Sequence, residues 1–237
     1  MKILAADCSA GPASVAIVEF GETPSVLANL FKNEGLTHSQ TLVPMMSEAL
    51  KTAQVKLSDI DLFAINAGPG SFTGVRIGVA AMKGLAAEGG NNCIPVSTLR
   101  SMAYNYVDSD PVTVCAVMDA RCNQVYTATF EVSGGEISRL TDDSAILIDE
   151  LCENLKSLKK DVVFVGDGAK LCYNILNSKL PCKLADEDRL YQSAVSVALC
   201  AKDMLDEGFA PVSAEELLPV YLRAPQAERE LKRRNGQ

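Results

Sequence analysis

The chain has 237 residues, 48% of them hydrophobic, and a net charge of −8. That length builds one large domain or two lobes of about 100 residues, with a core large enough to need no disulfide or metal staple. The negative charge disfavours a general grip on nucleic-acid phosphates, eight cysteines without a C-x-x-C pair speak for the reduced thiols of a cytoplasmic protein, and a single histidine restricts triads and histidine-ligated metals.

In chain order, Ile3 to Ala6 is a short apolar run, Asp7 to Pro12 a turn, and Ser14 to Phe20 a second run; together they predict a β-hairpin. A third strand is expected over Ser25 to Lys32. Thr37 and Gln40 have capping-box spacing, and Leu42, Met45, Met46, Ala49, Leu50 and Ala53 follow at helical spacing. Leu62 to Asn66 reads as a strand. The segment from Gly68 to Gly78 is a glycine turn leading into a helix that runs to about Ala87. It is not a Walker A loop, because no lysine follows in the required place. Cys93 to Val96 is a buried strand, and Thr98 to Tyr106 a short helix.

A second cycle then begins. Val114 to Asp119 is a strand ending in an aspartate, Ala120 to Asn123 a turn, and Gln124 to Glu131 the returning strand. Val162 to Val165 with Gly166, Asp167 and Gly168 echoes Leu62 to Gly70, and helices are expected from Ala169 to Leu176 and over 192–206. A unit of about 110 residues that recurs once describes a duplicated two-lobe molecule, not a solenoid. Strand hairpins followed by helix–strand alternation give mixed sheets covered by helices, an α/β class. The expected division is 1–108 for the first lobe, 109–223 for the second, with helix 192–206 packing back on the first lobe and 224–237 a charged tail. The tail holds the only dense basic stretch, Arg229 to Arg234, which reads as a solvated run. The start carries no signal-peptide pattern, and no apolar run approaches the ~18 residues of a membrane span.

Asp7 and Asp119 each end a strand, one per half. In a two-lobed ATPase, aspartates so placed hold a hydrated Mg²⁺ across a cleft while hairpin amides cradle phosphates. The competing reading is a turn aspartate that caps its own backbone. Gly74 and Gly78 lie on one helix face and permit a close approach, either by the helix's own sheet or by a second helix. Arg76, Arg100 and Arg121 are isolated candidates for an anion. His38, before an apolar helix, reads as a capping or packing residue rather than a metal ligand.

Gly68-Pro69-Gly70-Ser71-Phe72-Thr73-Gly74-Val75-Arg76-Ile77-Gly78 resembles the signature segment of the TsaB family of bacterial tRNA threonylcarbamoyladenosine biosynthesis proteins. Asp7-Cys8-Ser9 with Ser14 to Ala16, Met118 to Arg121 with Val125 and Tyr126, and Pro219 to Arg223 extend the likeness over nearly the whole chain. The resemblance implies a two-lobe fold of the actin, Hsp70 and sugar-kinase (ASKHA) type. It also implies a paralogue of TsaD, which transfers threonylcarbamoyl to N6 of adenosine 37 in tRNAs reading codons that begin with A. TsaB itself is implied to be a non-catalytic partner of TsaD and of the ATPase TsaE, touching tRNA only indirectly and needing no cofactor and no metal.

The family's catalytic paralogues carry a metal-binding H-x-x-x-H after an Ile-Pro-Val strand. Here Ile94-Pro95-Val96-Ser97 is followed by Thr98 and Met102 in the matching places, and neither suits such a metal. Asp167 in the second glycine turn repels an approaching phosphate. Asp7, Ser9, Asp119, Gly166, Asp167 and Gly168 are therefore expected to line a vestigial nucleotide cleft. The partner surface is expected on the two first-lobe helices, through His38, Leu42, Met45, Met46, Ala49, Ala53, Gly74, Val75, Gly78, Val79 and Met82. The same surface serves a homodimer, and the alternative is that the lobe's own sheet consumes it. The alternative function is an independent ATPase or glycoprotease-like hydrolase of the same fold.

Overall fold

The computed structural model describes residues 1–33 and 37–223. The tail expected over 224–237, with its basic stretch, lies outside the described residues.

The first half forms a five-stranded mixed sheet. Strands β1 (Lys2–Asp7), β2 (Ala13–Phe20) and β3 (Pro24–Lys32) make an antiparallel meander, and β4 (Leu62–Gly68) and β5 (Asn92–Ser97) add in parallel to give the order β3-β2-β1-β4-β5. β1 is apolar at consecutive positions because both its faces are covered. Leu4 and Ala6 join the core under helices α1 (His38–Ala53) and α2 (Phe72–Gly89). Ile3 and Ala5 face the opposite layer, where α6 (Ala194–Asp206) packs across β1, β2, β4 and β5.

The second half repeats the plan. β6 (Val112–Asp119) pairs with β7 (Gln124–Ser133), β7 with β8 (Glu136–Arg139), and β10 (Val162–Val165) and β11 (Cys182–Leu184) add in parallel beyond β6. The order β8-β7-β6-β10-β11 is the first sheet's order again. β9 (Ser144–Leu147) pairs with the first residues of β7 and leads into α4 (Ile148–Leu158), and α5 (Ala169–Leu176) follows β10. Between the halves, α3 (Thr98–Ala103) sends Leu99, Met102 and Ala103 into the second core. Two mixed sheets of the same order, each covered by helices, make a duplicated two-lobe α/β architecture.

The lobes are pinned together by polar contacts. Asn105 donates to the carbonyls of Arg189 and Tyr191, both at 2.9 Å, and accepts from Ser196 Oγ at 2.6 Å. A final strap, residues 209–223, returns to the first lobe. Its Val212 forms an isolated bridge with Cys93, its Leu217 is buried, and the Val220 N–H donates to the Ala67 carbonyl at 2.7 Å.

Two expectations need correction. Thr37 does precede α1, but its side chain caps nothing, and only its carbonyl holds Gln40 N–H at 2.9 Å. The apolar stripe of the two helices also points inward. Leu42, Met45, Met46, Ala49, Val75, Val79 and Met82 are buried in the lobe's own core, and Ala53 packs against it. The glycines of α2 serve the same packing. A Cβ at Gly74 would collide with the Cys8 carbonyl oxygen, and one at Gly78 would press on Cys8 Sγ and Ile65. The physical reason is area: a five-stranded sheet face absorbs the whole stripe of two helices, so these side chains are not free for another protein.

All eight cysteines are free thiols. Six are buried, Cys182 is half-buried and Cys122 is exposed. No helix among the described residues is long and apolar enough to cross a membrane.

Candidate functional site

The ends of β1, β4, β6 and β10 converge on a cleft between the lobes. The cavity measures about 660 Å³. The first lobe supplies Ser9 to Gly11, His38 and Pro69 to Thr73. The second supplies Met118 to Arg121, Tyr126 and Asp167, and the strap adds Val220 to Arg223. Of the six residues the sequence places here, Ser9, Asp119 and Asp167 line the cavity, while Asp7, Gly166 and Gly168 do not.

Asp7 is the clearest departure. Its carboxylate is 1% exposed and committed internally. Oδ1 accepts from Ser9 Oγ at 2.6 Å and from Asn66 Nδ2 at 2.7 Å, and the Ser9 N–H points at both oxygens, at 3.3 and 3.4 Å. Burial raises its pKa, and the Ser9 and Asn66 hydrogen bonds pull the other way. The turn beyond it is clamped by α2. The Ser71 N–H donates to the Ser9 carbonyl at 2.6 Å, the Cys8 thiol donates to the Gly74 carbonyl at 3.1 Å, and Gly70 has no room for a Cβ against the Ser9 carbonyl. His38 completes the clamp. Its Nε2–H donates to the Ala10 carbonyl at 2.8 Å, which fixes the tautomer and ties the head of α1 to this turn.

Asp119 caps its own turn. Its Oδ1 accepts the Arg121 N–H at 2.7 Å, and Oδ2 meets Arg121 Nη1 at 3.2 Å. Arg121, Cys122 and Asn123 all take positive φ, between 54° and 65°. That run is costly without glycine, and the Asp119 cap helps hold it. The second glycine turn is shaped by packing. Gly166 has φ 110°, and a Cβ there would strike the Val117 carbonyl. Asp167, exposed to the cleft, has its pKa pushed up to about 6, first by desolvation between the walls, with the charges of Asp119 and Asp7 adding to it against a backbone hydrogen bond at Asp119.

A nucleotide with Mg²⁺ does not fit this donor set. Asp7 has no face on the cleft, Asp119 is held by a cation, and Asp167 adds negative charge where phosphates would lie. Thr98 and Met102, which the resemblance sets against a metal-binding pair, fit no better: both are wholly buried, and Met102 Sδ packs on Gly166. Among the described residues no cluster of three histidine, cysteine or carboxylate side chains could hold a metal.

Phe72, Tyr126, Tyr221 and Arg223 also line the cleft; they entered the sequence reading only through the likeness to the family pattern and were not assigned to the site. Arg76 Nε donates to Tyr221 Oη at 2.6 Å across 145 residues of sequence, and Arg223 Nη1 reaches the Ala120 carbonyl at 3.2 Å. The only sequence signal for this strap was the likeness of Pro219 to Arg223 to the family pattern.

Residues 27–231 match the family model described as TsaD: tRNA N6-adenosine threonylcarbamoyltransferase. The chain is 35% identical over 225 residues to the tRNA threonylcarbamoyladenosine biosynthesis protein TsaB of Escherichia coli, covering 94% of this chain and 95% of that one. It is 30% identical to the TsaB of Haemophilus influenzae, covering 94% of each chain. Among solved structures, YeaZ from Pseudomonas aeruginosa superposes with a TM-score of 0.76 at 28% identity, over 93% of this chain and 99% of that one. With near-full coverage by these relatives, a duplicated two-lobe fold and the glycine segment at the cleft, the chain belongs to the TsaB family of tRNA threonylcarbamoyladenosine biosynthesis proteins.

Proposed function

We infer that the chain is a non-catalytic support subunit for threonylcarbamoyl transfer to N6 of adenosine 37 in tRNA. It pairs with a TsaD-type catalytic paralogue and works with a TsaE-type ATPase. The observation that carries this reading is the state of the two aspartates: one is sealed behind Ser9 and Asn66, and the other is engaged in capping its own turn at Arg121. An enzyme of this fold needs both free to organise a metal–phosphate centre.

The pairing surface is the outward side of α1 and α2, whose inward side is spent on the core. Val43, Pro44 and Ser47 on α1, and Ala80, Gly84 and Ala87 on α2, are exposed. Small residues on α2 admit another helix closely, and a paralogue of the same fold presents equivalent helices, so the contact is a pseudo-symmetric four-helix meeting. A second copy of the chain occupies the same surface when the paralogue is absent.

The test is reconstitution of transfer from purified paralogue, ATPase and tRNA, with and without this chain. The reading expects transfer to require the chain and to survive Asp119→Ala in it. Transfer that proceeds equally without the chain, or that Asp119→Ala abolishes, rejects the support role.

A further inference from the structure

We propose that the head of α2 and the adjoining strap form a receptor for an acidic side chain on a partner protein, with Arg76 as its anchor. The proposal deepens the support-subunit reading and rests on it only for the identity of the partner.

Six arginines lie among the described residues, and five are engaged. Arg100 pairs with Glu207, Arg121 with Asp119 and Arg139 with Asp143. Arg189 Nη1 donates to Ser109, and Arg223 Nη1 to the Ala120 carbonyl. Arg76 differs. It is an exposed residue without a carboxylate partner among the described residues, and only its Nε makes a hydrogen bond, to Tyr221 Oη. Among the described residues both terminal nitrogens are left over.

The guanidinium is nevertheless held. Its Cζ stands 3.7 Å from the centre of the Phe72 ring and 5.5 Å from that of Tyr221, and those two rings stack at 5.1 Å. Tyr221 is itself placed by the strap. Lys83 Nζ donates to the Glu215 carbonyl at 3.0 Å and Val220 N–H to Ala67, so the strap runs beside α2 with its ends fixed. An arginine stacked and bonded through Nε has lost most of its rotamer freedom before any ligand arrives, which removes much of the cost of binding. The remaining two nitrogens suit the paired oxygens of a carboxylate.

The rim selects a protein over a nucleic acid. Tyr221, which touches the cation, is 42% exposed, and Leu218 and Val220 on the same strap are 62% and 50% exposed, so the strap that carries the receptor also presents apolar side chains. Arginine and tyrosine, dominant among interface hot spots, meet here. A phosphate backbone would gain one cation while facing a chain of net charge −8. A glutamate or aspartate flanked by aliphatic side chains meets both the charge and the apolar border.

Two probes test the proposal. In the first, the chain carrying isotope-labelled arginine is titrated with the blocked tripeptide acetyl-Leu-Glu-Leu-amide, with its glutamine counterpart and with tRNA, and the Nε signals are followed by NMR. The Arg76 signal should move saturably with the glutamate peptide, not with the glutamine peptide, and Tyr221→Phe should weaken the response. No movement, equal movement with both peptides, or movement with tRNA alone overturns the receptor. In the second, Arg76→Lys keeps the charge and the thermal melt while weakening binding of the paralogue about tenfold, because lysine lacks the fork. Unchanged paralogue binding by Arg76→Lys also overturns the proposal. If the wild-type chain does not bind the paralogue, the partner assignment fails, and the peptide titration still decides the receptor.

Discussion

The two aspartate turns are equivalent by topology and opposite in use. Asp7 pairs with Ser14 across the first hairpin, and Asp119 with Val125 across the second. The first turn is pressed shut by α2 and by His38, and its carboxylate has become an internal hydrogen-bond centre. The second carboxylate lines the cleft and restrains a run of left-handed residues. Duplication therefore preserves the place of an aspartate without preserving its access to solvent. Whether such an aspartate still serves chemistry is decided by what packs on the turn, which spacing alone does not reveal.

The largest effects should come from breaking what closes the first turn. Met45→Asp buries an unpaired charge in the first-lobe core and should cost about 4 kcal/mol or more of stability. The melt should collapse, which excludes Met45 as a surface contact. A stable, folded Met45→Asp chain would place α1 the other way round. Gly74→Ala forces a methyl group into the Cys8 carbonyl and should cost about 2–3 kcal/mol by chemical denaturation. On the same helix, Gly84 has open space around its added Cβ, and Gly84→Ala should stabilise by about 0.5–1 kcal/mol. Equal effects at the two glycines would contradict the clamp.

The aspartates themselves come next. Asp7→Ala strands buried donors from Ser9 and Asn66 and should cost about 1–3 kcal/mol, whereas Asp119→Ala loses a half-exposed turn cap and should cost about 1 kcal/mol or less. A reversed order in equilibrium unfolding would refute the asymmetry. The smallest effect is electrostatic. With its folded pKa raised to about 6, Asp167 holds its proton more tightly in the native state, so its contribution to stability is full below the ordinary carboxylate range and is lost as pH rises towards 6. Its side-chain carbon signal should titrate near pH 6, and Asp167→Asn should remove that dependence. A midpoint near 4 would show that the cleft does not desolvate it.

Much of this fold is legible in the sequence because its signals are local. The first hairpin, the strand before Gly68, α2 and the second cycle to β7 follow from apolar runs and turn residues. Other elements differ in how strongly the sequence marks them. The β7–β8 hairpin turns on Gly134 and Gly135, both with positive φ, a glycine pair whose signal was present. α4 shows Ile148, Leu151, Cys152 and Leu155 at helical spacing and was equally readable. β11 is three partly exposed residues with no period to detect. The candidate site was legible only in part. Periodicity marks Met45 and Met46 as apolar but does not say which layer receives them, and nothing local links Arg76 to Tyr221. The fate of Asp7 depends on Asn66, 59 residues away, and on the packing of α2.

The most direct test of the central claim is a calorimetric titration of ATP·Mg into the isolated chain. Sealed Asp7, Asp119 engaged in its own turn cap, and charged Asp167 predict no saturable binding in the micromolar range. Micromolar affinity that disappears in Asp119→Ala would contradict the account and mark the cleft as a working nucleotide site.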